Sequence, residues 1–484
     1  MEIASHRRPA LGRDAGWLLG AEIISVFLAF LGQIILTRTL LPVEYGWLVL
    51  AIDVYAALFL ITDLGLPTLL ARDGSNRPHA VRHAVWRTYK MQGTAFAFFL
   101  LLALVIQPLD FFGQDAPEFL AILGILISFI HIASYSPRTA LRSIGHAHQE
   151  AISKVIERTV IVCGYLMLFW YGSADVILYG LVFFIGGCVS VFYSLFILHN
   201  LTSTAGFKEN SEGLGPDWIS NRVLFYSALP FAITLSILPY VIRIEKFMIA
   251  FVSNVDAMAV FHVAQLAWLA GLVVPAALRS SLLPVLGAHR HHPEQQITAM
   301  NASLDICLGI LPIGLFSGYL IVEKLALIAF PEQYFDGSLG GNAIELFTVL
   351  LLGWAATILA TPTYTRLQTH YNPWRFTTFI AIVALTALLV GWFLVVSLAS
   401  SPHKVLMMGS LAATISAIAM LVYSIVLSHS WNWVKQRRDD WILATMSSVL
   451  IVVGLLSSTL IWLFGLPLFL FIPRAVRAVK STLS

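Results

Sequence analysis

The sequence predicts an all-α integral membrane protein of about fourteen transmembrane helices, arranged as two six-helix lobes and a C-terminal helix pair. Three observations carry that expectation. The 484 residues are 58% hydrophobic and only 11% charged, with a mean hydropathy of +0.82, whereas soluble proteins carry about 25% charged residues. Apolar runs recur at the length of about 20 residues that a helix needs to cross about 30 Å of hydrocarbon. These runs contain Gly, Pro and aromatic residues and lack the alternation of roughly ten-residue strands, which excludes an outer-membrane barrel.

The first run, 16–40, is too long for a signal-peptide core and lacks an Ala-x-Ala-like cleavage site, so it reads as a retained helix. It carries Glu22 about 9 Å from its inner end, Gly32, and Arg38 near its outer end. The second, 45–70, holds Asp53 about 12 Å from its outer end and Asp63 near its inner end. Runs 91–110, 117–138, 155–172 and 175–199 complete six spans, with His131 in the fourth. Two basic stretches, 73–90 and 142–158, read either as interfacial helices on anionic headgroups or as solvated loops. Segment 200–221, rich in Ser, Gly, Thr and acidic residues, is the expected cytoplasmic linker between lobes.

The second group runs 222–252, 257–285, 297–329, 341–365, 374–398 and 403–427. Pro230 and Pro239 predict bends in the seventh span, whose outer part reads Arg243-Ile-Glu245-Lys246. His262 and Gln265 lie in the eighth span, and Asp305 lies deep in the ninth. The tail, 441–473, is long for one upright helix and short for two, with Gly454 or Gly465–Pro467 as its break. The resulting division is 1–199, 200–221, 222–427 and 428–484.

Charge placement supports the alternation. With the N-terminus in the cytoplasm, all but five of the 29 Lys and Arg fall on the inner side, while Glu44, Asp110, Asp115, Glu118, Asp175, Asp256, Glu332 and Asp336 fall outside. Arg474, Arg477 and Lys480 return to the inner side only if the tail crosses twice, which favours fourteen spans over thirteen. The five exceptions are Arg38, Arg243, Lys246, Lys324 and Lys404.

Catalytic motifs are missing. The sequence has no Walker-type Gly-Lys-Ser/Thr loop, no His-Glu-x-x-His and no Gly-x-Ser-x-Gly. The His289-Arg290-His291-His292 run has no Cys nearby and reads as a solvated loop. Cys163, Cys188 and Cys307 sit in apolar runs as packing residues, and a net charge of +3 argues against nucleic-acid binding.

Deep polar groups are the remaining candidates, because a charge at the bilayer centre costs about 2.5–3.5 kcal/mol on insertion scales. Glu22 and Asp53 read either as an ion-coupling pair or as an interhelical contact. Asp63 is a helix-terminal or gating contact, and His131 and His262 read as packing residues. Arg38, Arg243 and Lys246 read either as an anion-binding vestibule formed by two lobes or as interfacial anchors. Arg243 and Lys246, three apart, are expected on one helix face, with Glu245 available to either.

Several segments resemble the bacterial polysaccharide-export flippases of the multidrug/oligosaccharidyl-lipid/polysaccharide (MOP) exporter superfamily. They are Ile-Leu-Thr-Arg-Thr-Leu-Leu-Pro-Val-Glu-Tyr-Gly (35–46), Thr-Asp-Leu-Gly-Leu (62–66), Arg-Ile-Glu-Lys-Phe-Met-Ile-Ala (243–250) and Val-Ala-Gln-Leu-Ala (263–267). Arg38 matches the family's basic residue before Leu-x-Pro-x-Glu-Tyr-Gly, Asp63 its Asp-Leu-Gly, and Glu245-Lys246 its Asp-Arg. Ala259 and Phe261 depart from the family's Gly-x-Tyr, so no ligand role is assigned there.

The resemblance implies two pseudo-symmetric six-helix lobes with a central cavity that opens alternately to either side. It implies a non-enzymatic flippase that carries undecaprenyl-diphosphate-linked sugar repeat units to the periplasmic leaflet of a bacterial inner membrane. Both termini would be cytoplasmic, no cofactor would be needed beyond H+ or Na+ coupling, and the partners would be membrane lipids, a polysaccharide polymerase and co-export proteins. The alternatives are a cation-coupled multidrug exporter of the same superfamily and, from another class, a membrane polysaccharide polymerase or ligase.

Overall fold

The structure, a computed structural model, describes residues 11–55, 60–73, 81–106, 119–203, 221–289, 292–370 and 372–483. Arg7, Arg8, Arg77, Asp110, Asp115, Glu118, Lys208, Arg290 and His291, which entered the charge reading, lie outside the described residues. Among the described residues the chain is helical throughout and has no β-strand. Nine of the described stretches are long and apolar enough to cross a membrane. Trp170 is 90% exposed, Phe192 75% and Phe464 71%, a display of aromatic surface that suits lipid and aromatic belts rather than water.

Two compact units divide the chain, Met1–Pro239 and Tyr240–Ser484. The division falls inside the run expected as the seventh span; residues 204–220 of the expected linker lie outside the described residues.

In the first unit, α1 (Leu11–Thr39) ends with Arg38 in its last turn, where a cation meets the negative end of the helix dipole. The next helix, α2 (Pro42–Leu50), starts at once. Pro42 occupies its first turn, and the Glu44 carboxylate accepts the Leu41 amide at 3.1 Å. Buried Tyr45 donates to Gln33 Oε1 at 2.7 Å and pins the two helices together. The Leu-Leu-Pro-Val-Glu-Tyr-Gly motif is therefore a helix start and a hairpin lock.

The second span is not one continuous helix, contrary to the expectation. Beyond Leu50 the backbone widens into a π turn at Ala51–Tyr55, and a 3-10 turn covers Leu60–Asp63. Leu64 (φ +55°) and Gly65 (φ +64°) then take left-handed conformations before α3 (Leu66–Asp73). Gly supplies the conformation that ends a helix, and Pro67 sits in the first turn of the next.

The remaining helices of this unit are α4 (Val81–Ile106), α5 (Phe119–Ser143), α6 (Ala147–Trp170), α7 (Val176–Ser203) and α8 (Asn221–Val241). Residues 81–90 and 147–158 are the first turns of α4 and α6, which corrects the reading of separate interfacial helices or loops. At 26 and 24 residues these helices are about 36–39 Å long, enough to carry basic ends beyond a hydrocarbon core of about 30 Å. Small residues let the helices close up: Gly186 lies against Ile161 and Gly187 against Ile130.

The second unit holds α9 (Ile244–Val252), α10 (Val255–Gly271), α11 (Val273–Ala288), α12 (Pro293–Ala329), α13 (Ala343–Gln368), α14 (Pro373–Gly391, continued by a π turn at Trp392–Leu398) and α15 (Pro402–Leu427). Side-chain caps start four of them: Asn254 for α10, Asn342 for α13, Asn372 for α14 and Ser401 for α15. Helix α13 is the axis of the unit. Its Trp354 indole donates to Gly271 O at 2.9 Å and lies over Gly314, while Thr414 of α15 donates to Val349 O at 3.0 Å.

The tail resolves its own length problem. After α16 (Trp431–Gln436) and α17 (Arg438–Leu456), the chain turns at 457–459 and returns as a 3-10 helix over Leu460–Phe471, followed by α18 (Ile472–Leu483). A 3-10 helix rises about 2.0 Å per residue, so twelve residues cover about 24 Å where an α-helix would cover about 18 Å. That rise lets a run too short for two α-helical crossings form a hairpin.

Candidate functional site

The expected site residues separate into two groups, one in each unit. In the first unit, Glu22 is half-exposed and pairs with Lys154 of α6 at 3.4 Å. Lys154 also approaches Glu150, which pairs with Arg142 at 3.4 Å. Glu22 is thus held in a charge chain at the α1–α6 contact. Asp53 is buried in the π turn. Asp63 is buried as well: both its carbonyl and its Oδ1 accept from Gln92 Nε2 of α4 at 3.0 Å, and Gln92 Oε1 in turn accepts from Ser136 of α5. Asp63 therefore ties the broken second span to two neighbouring helices at its left-handed turn. His131 bonds the Tyr135 hydroxyl at 3.0 Å, one turn away on the same helix.

One constellation in this unit escaped the sequence reading. Arg138, counted there among the cytoplasmic charges, is buried and ion-paired with buried Glu157 of α6. Its guanidinium also reaches Ser190 of α7, and its Nε reaches Ser153 at 3.4 Å. Ser153 bonds both Ser190 and Ser194 at 2.8 Å. The signal was in the spacing: Ser153 and Glu157 lie four apart on α6, and Ser190 and Ser194 lie four apart on α7, each pair on one helix face. The position of Arg138 at the inner end of the fourth predicted span hid it.

In the second unit the helix breaks at Ile242–Arg243, a few residues past Pro239, between α8 and α9. Gln265 of α10 donates to the freed Ile242 carbonyl at 2.7 Å, giving a broken backbone the partner that lipid cannot supply. Arg243 stands before the first turn of α9 and is half-buried, whereas Lys246 is 1% exposed inside it. Lys246 Nζ lies 2.9 Å from Nδ1 of His262, so that histidine is a specific partner rather than simple packing. Glu245, also 1% exposed, lies beside Ser416 of α15, and its Oε1 has no hydrogen-bond partner among the described residues.

Asp305, expected as a deep group, is engaged at 2.5 Å by Arg437. Arg437 also pairs with Asp440 at 2.6 Å, and Asp440 pairs with Arg474 at 2.8 Å. Burial disfavours the Arg437 cation, but the hydrogen bonds and charges of Asp305 and Asp440 raise its pKa above the ordinary arginine value. Trp433 Nε1 donates to Asn301 at 2.8 Å beside this chain of charges. Together they latch the terminal hairpin to α12. Arg437→Ala, leaving two half-buried carboxylates, is expected to cost about 2 kcal/mol in thermal unfolding. Arg437→Lys should recover only part of it, because an ammonium lacks the fork that spans both acids. Among the described residues no group of three or more His, Cys, Asp or Glu is placed to hold a metal ion.

Over residues 11–288, more than half its length, the sequence matches the family described as polysaccharide biosynthesis protein. The chain belongs to that family. No curated protein matches the chain. In fold it is similar to a MATE in the straight conformation, at 15% identity and a TM-score of 0.62 over 87% of this chain and 96% of that one. It is also similar to a multidrug resistance MATE family transporter of the MOP superfamily in an outward-facing conformation, at 15% identity and a TM-score of 0.58 over 89% of this chain and 99% of that one. A MOP superfamily transporter from Pyrococcus furiosus matches at 14% identity and a TM-score of 0.58 over 94% of this chain and 99% of that one. At these identities the likeness is one of fold. The polysaccharide biosynthesis family member thus has the fold of a multi-pass MOP-superfamily transporter.

Proposed function

We propose that this family member is a lipid-linked oligosaccharide flippase of a bacterial inner membrane, with cytoplasmic termini, that moves undecaprenyl-diphosphate-linked repeat units to the periplasmic leaflet by alternating access. The observation that carries the reading is the pair of cations at the break between α8 and α9, in a chain whose family is that of polysaccharide biosynthesis. A diphosphate cannot enter about 30 Å of hydrocarbon unaided. Cations beside an interrupted helix can replace its water through charge-assisted hydrogen bonds while the prenyl tail stays in lipid. In this reading Arg38, Arg243 and Lys246 contact the diphosphate or acidic sugars, Glu22 and Asp53 take part in ion coupling, and Asp63 and Glu245 hold the joints that move. The salt-bridged Glu22 supports the first unit through Lys154.

Translocation of a fluorescent prenyl-diphosphate sugar in proteoliposomes tests this reading. Lys246→Ala should slow it by about ten- to a hundredfold, the loss of one charge-assisted hydrogen bond. Unchanged rates in both Lys246→Ala and Arg38→Ala would remove these residues from the site. A second reading, a cation-coupled multidrug exporter, draws on the burial of three carboxylates, Asp53, Asp63 and Glu245. Binding of organic cations without binding of prenyl diphosphates would select it.

A further inference from the structure

The open end of the terminal hairpin carries more positive charge than its own contacts use. It holds Lys435 on α16, Arg437, Arg438 at the start of α17, and Arg474, Arg477 and Lys480 on α18. Against these six cations stand three carboxylates, Asp305, Asp439 and Asp440. Asp305 and Asp440 are taken by Arg437 and Arg474. Lys435, Arg438, Arg477 and Lys480 are exposed, and among the described residues none of the four has an ion pair.

The patch is built on packed helices. On α18, Ala475 lies against Gly309 of α12, and Arg474 bonds Asp440 in the first turn of α17 at 2.8 Å. Lys435 Nζ stands 6.0 Å from the ring centre of exposed Trp431. Val476 and Val479, both exposed, form an apolar strip along α18 next to the strip of Arg477 and Lys480, each pair being three residues apart.

Depth identifies what surrounds it. From Leu460, the 3-10 helix covers about 24 Å and each later residue adds about 1.5 Å, so Arg474 lies about 28 Å along, Arg477 about 33 Å and Lys480 about 37 Å. Hydrocarbon is about 30 Å thick, and the headgroup layers bring a bilayer to about 40–45 Å. Arg474 therefore falls at the hydrocarbon edge, Arg477 within the headgroup layer and Lys480 at its water side. The 19 residues of α17 cover about 28 Å, which returns Arg438 to the same edge. Cations beside exposed valine and tryptophan at this level fit a charged lipid; an acidic protein segment would have to enter the headgroups to cover Val476.

We propose that this patch is a docking site for anionic phospholipid. The lipid phosphates engage Arg477 and Lys480 on α18 and Lys435 and Arg438 at the foot of α17, while the valines meet the first methylenes of the acyl chains. Bound lipid then ties α18 to α17 alongside the bond between Arg474 and Asp440. Such a site needs only the hairpin and a membrane, whatever substrate is transported.

Native mass spectrometry of the purified full chain in detergent, titrated with phosphatidylglycerol or with phosphatidylcholine of the same acyl chains, measures the preference. Phosphatidylglycerol should bind more tightly, and the gap should narrow as salt rises from about 0.1 M to about 1 M and screening shortens from about 10 Å to about 3 Å. A cation near an anionic surface is worth about fivefold in affinity. Arg477→Gln combined with Lys480→Gln should thus weaken phosphatidylglycerol about 25-fold and leave phosphatidylcholine unchanged, and Lys435→Gln with Arg438→Gln should act alike. Glutamine is as good a helix former as the residues it replaces, so these exposed variants keep their helices. Lys404→Gln, an exposed cation in the first turn of α15, should change neither lipid. Hydrogen exchange in nanodiscs places the effect: phosphatidylglycerol in place of phosphatidylcholine should slow exchange across α16 and α18 in the wild type and in neither double variant. Equal affinity for the two lipids in the wild type, or a preference that survives both double variants, would overturn the site and leave the flippase reading standing.

Discussion

Replacing Arg138 with Ala is expected to destabilise the first unit by about 3–5 kcal/mol, the loss typical of a buried ion pair stripped of one partner. The side chains of Arg138 and Glu157 are 8% and 7% exposed. The guanidinium joins three helices, bonding Glu157 and Ser153 on α6 and Ser190 on α7 from its own position on α5. Its removal leaves a carboxylate surrounded by hydroxyls in a region with little water to solvate it. The thermal unfolding midpoint in detergent reads the effect. Arg138→Leu combined with Glu157→Leu should recover much of the loss, because the second change removes the stranded charge. A single variant that melts with the wild type would show that the pair contributes nothing to packing.

Gly65→Ala is expected to be nearly as damaging, for a steric reason. A Cβ at this position would lie 2.5 Å from the Ala232 amide nitrogen and 2.8 Å from Ala228 O, both backbone atoms of α8. The left-handed φ of +64° adds about 1–2 kcal/mol for a residue with a Cβ. Overpacking adds about 1–3 kcal/mol. Since rigid helix backbone cannot yield as a side-chain tip can, α8 must move off the Asp63–Gly65 turn and loosen the contact of Leu66 with Leu224 and Ala228. Lower thermal stability together with faster hydrogen exchange across α3 and α8 would confirm this, and wild-type exchange at both would exclude it.

The parts that were legible share a local cause. The kink signal at Pro239 depends on residues within one or two turns of each other, and it emerged in place. The parts that were not legible depend on distant partners. Glu22 read as one of a deep acidic pair, yet it lies next to Lys154, 132 residues away in the chain. Asp305 read as an isolated deep acid, yet it meets Arg437, again 132 residues away. Arg138 read as an inner-side charge at the end of the fourth span, and its burial depends on α6 and α7 closing around it.

Hydropathy and charge placement by themselves determined that this chain is a helical membrane protein, because the cost of exposing backbone and charge to lipid acts on every residue separately and can be summed along a sequence. Tertiary structure alone decided which charges are held and by what. The small energy of each polar contact, about 1–3 kcal/mol, arises only when helices bring two groups within about 3 Å. Packing of α10 on α9 gave Lys246 to His262.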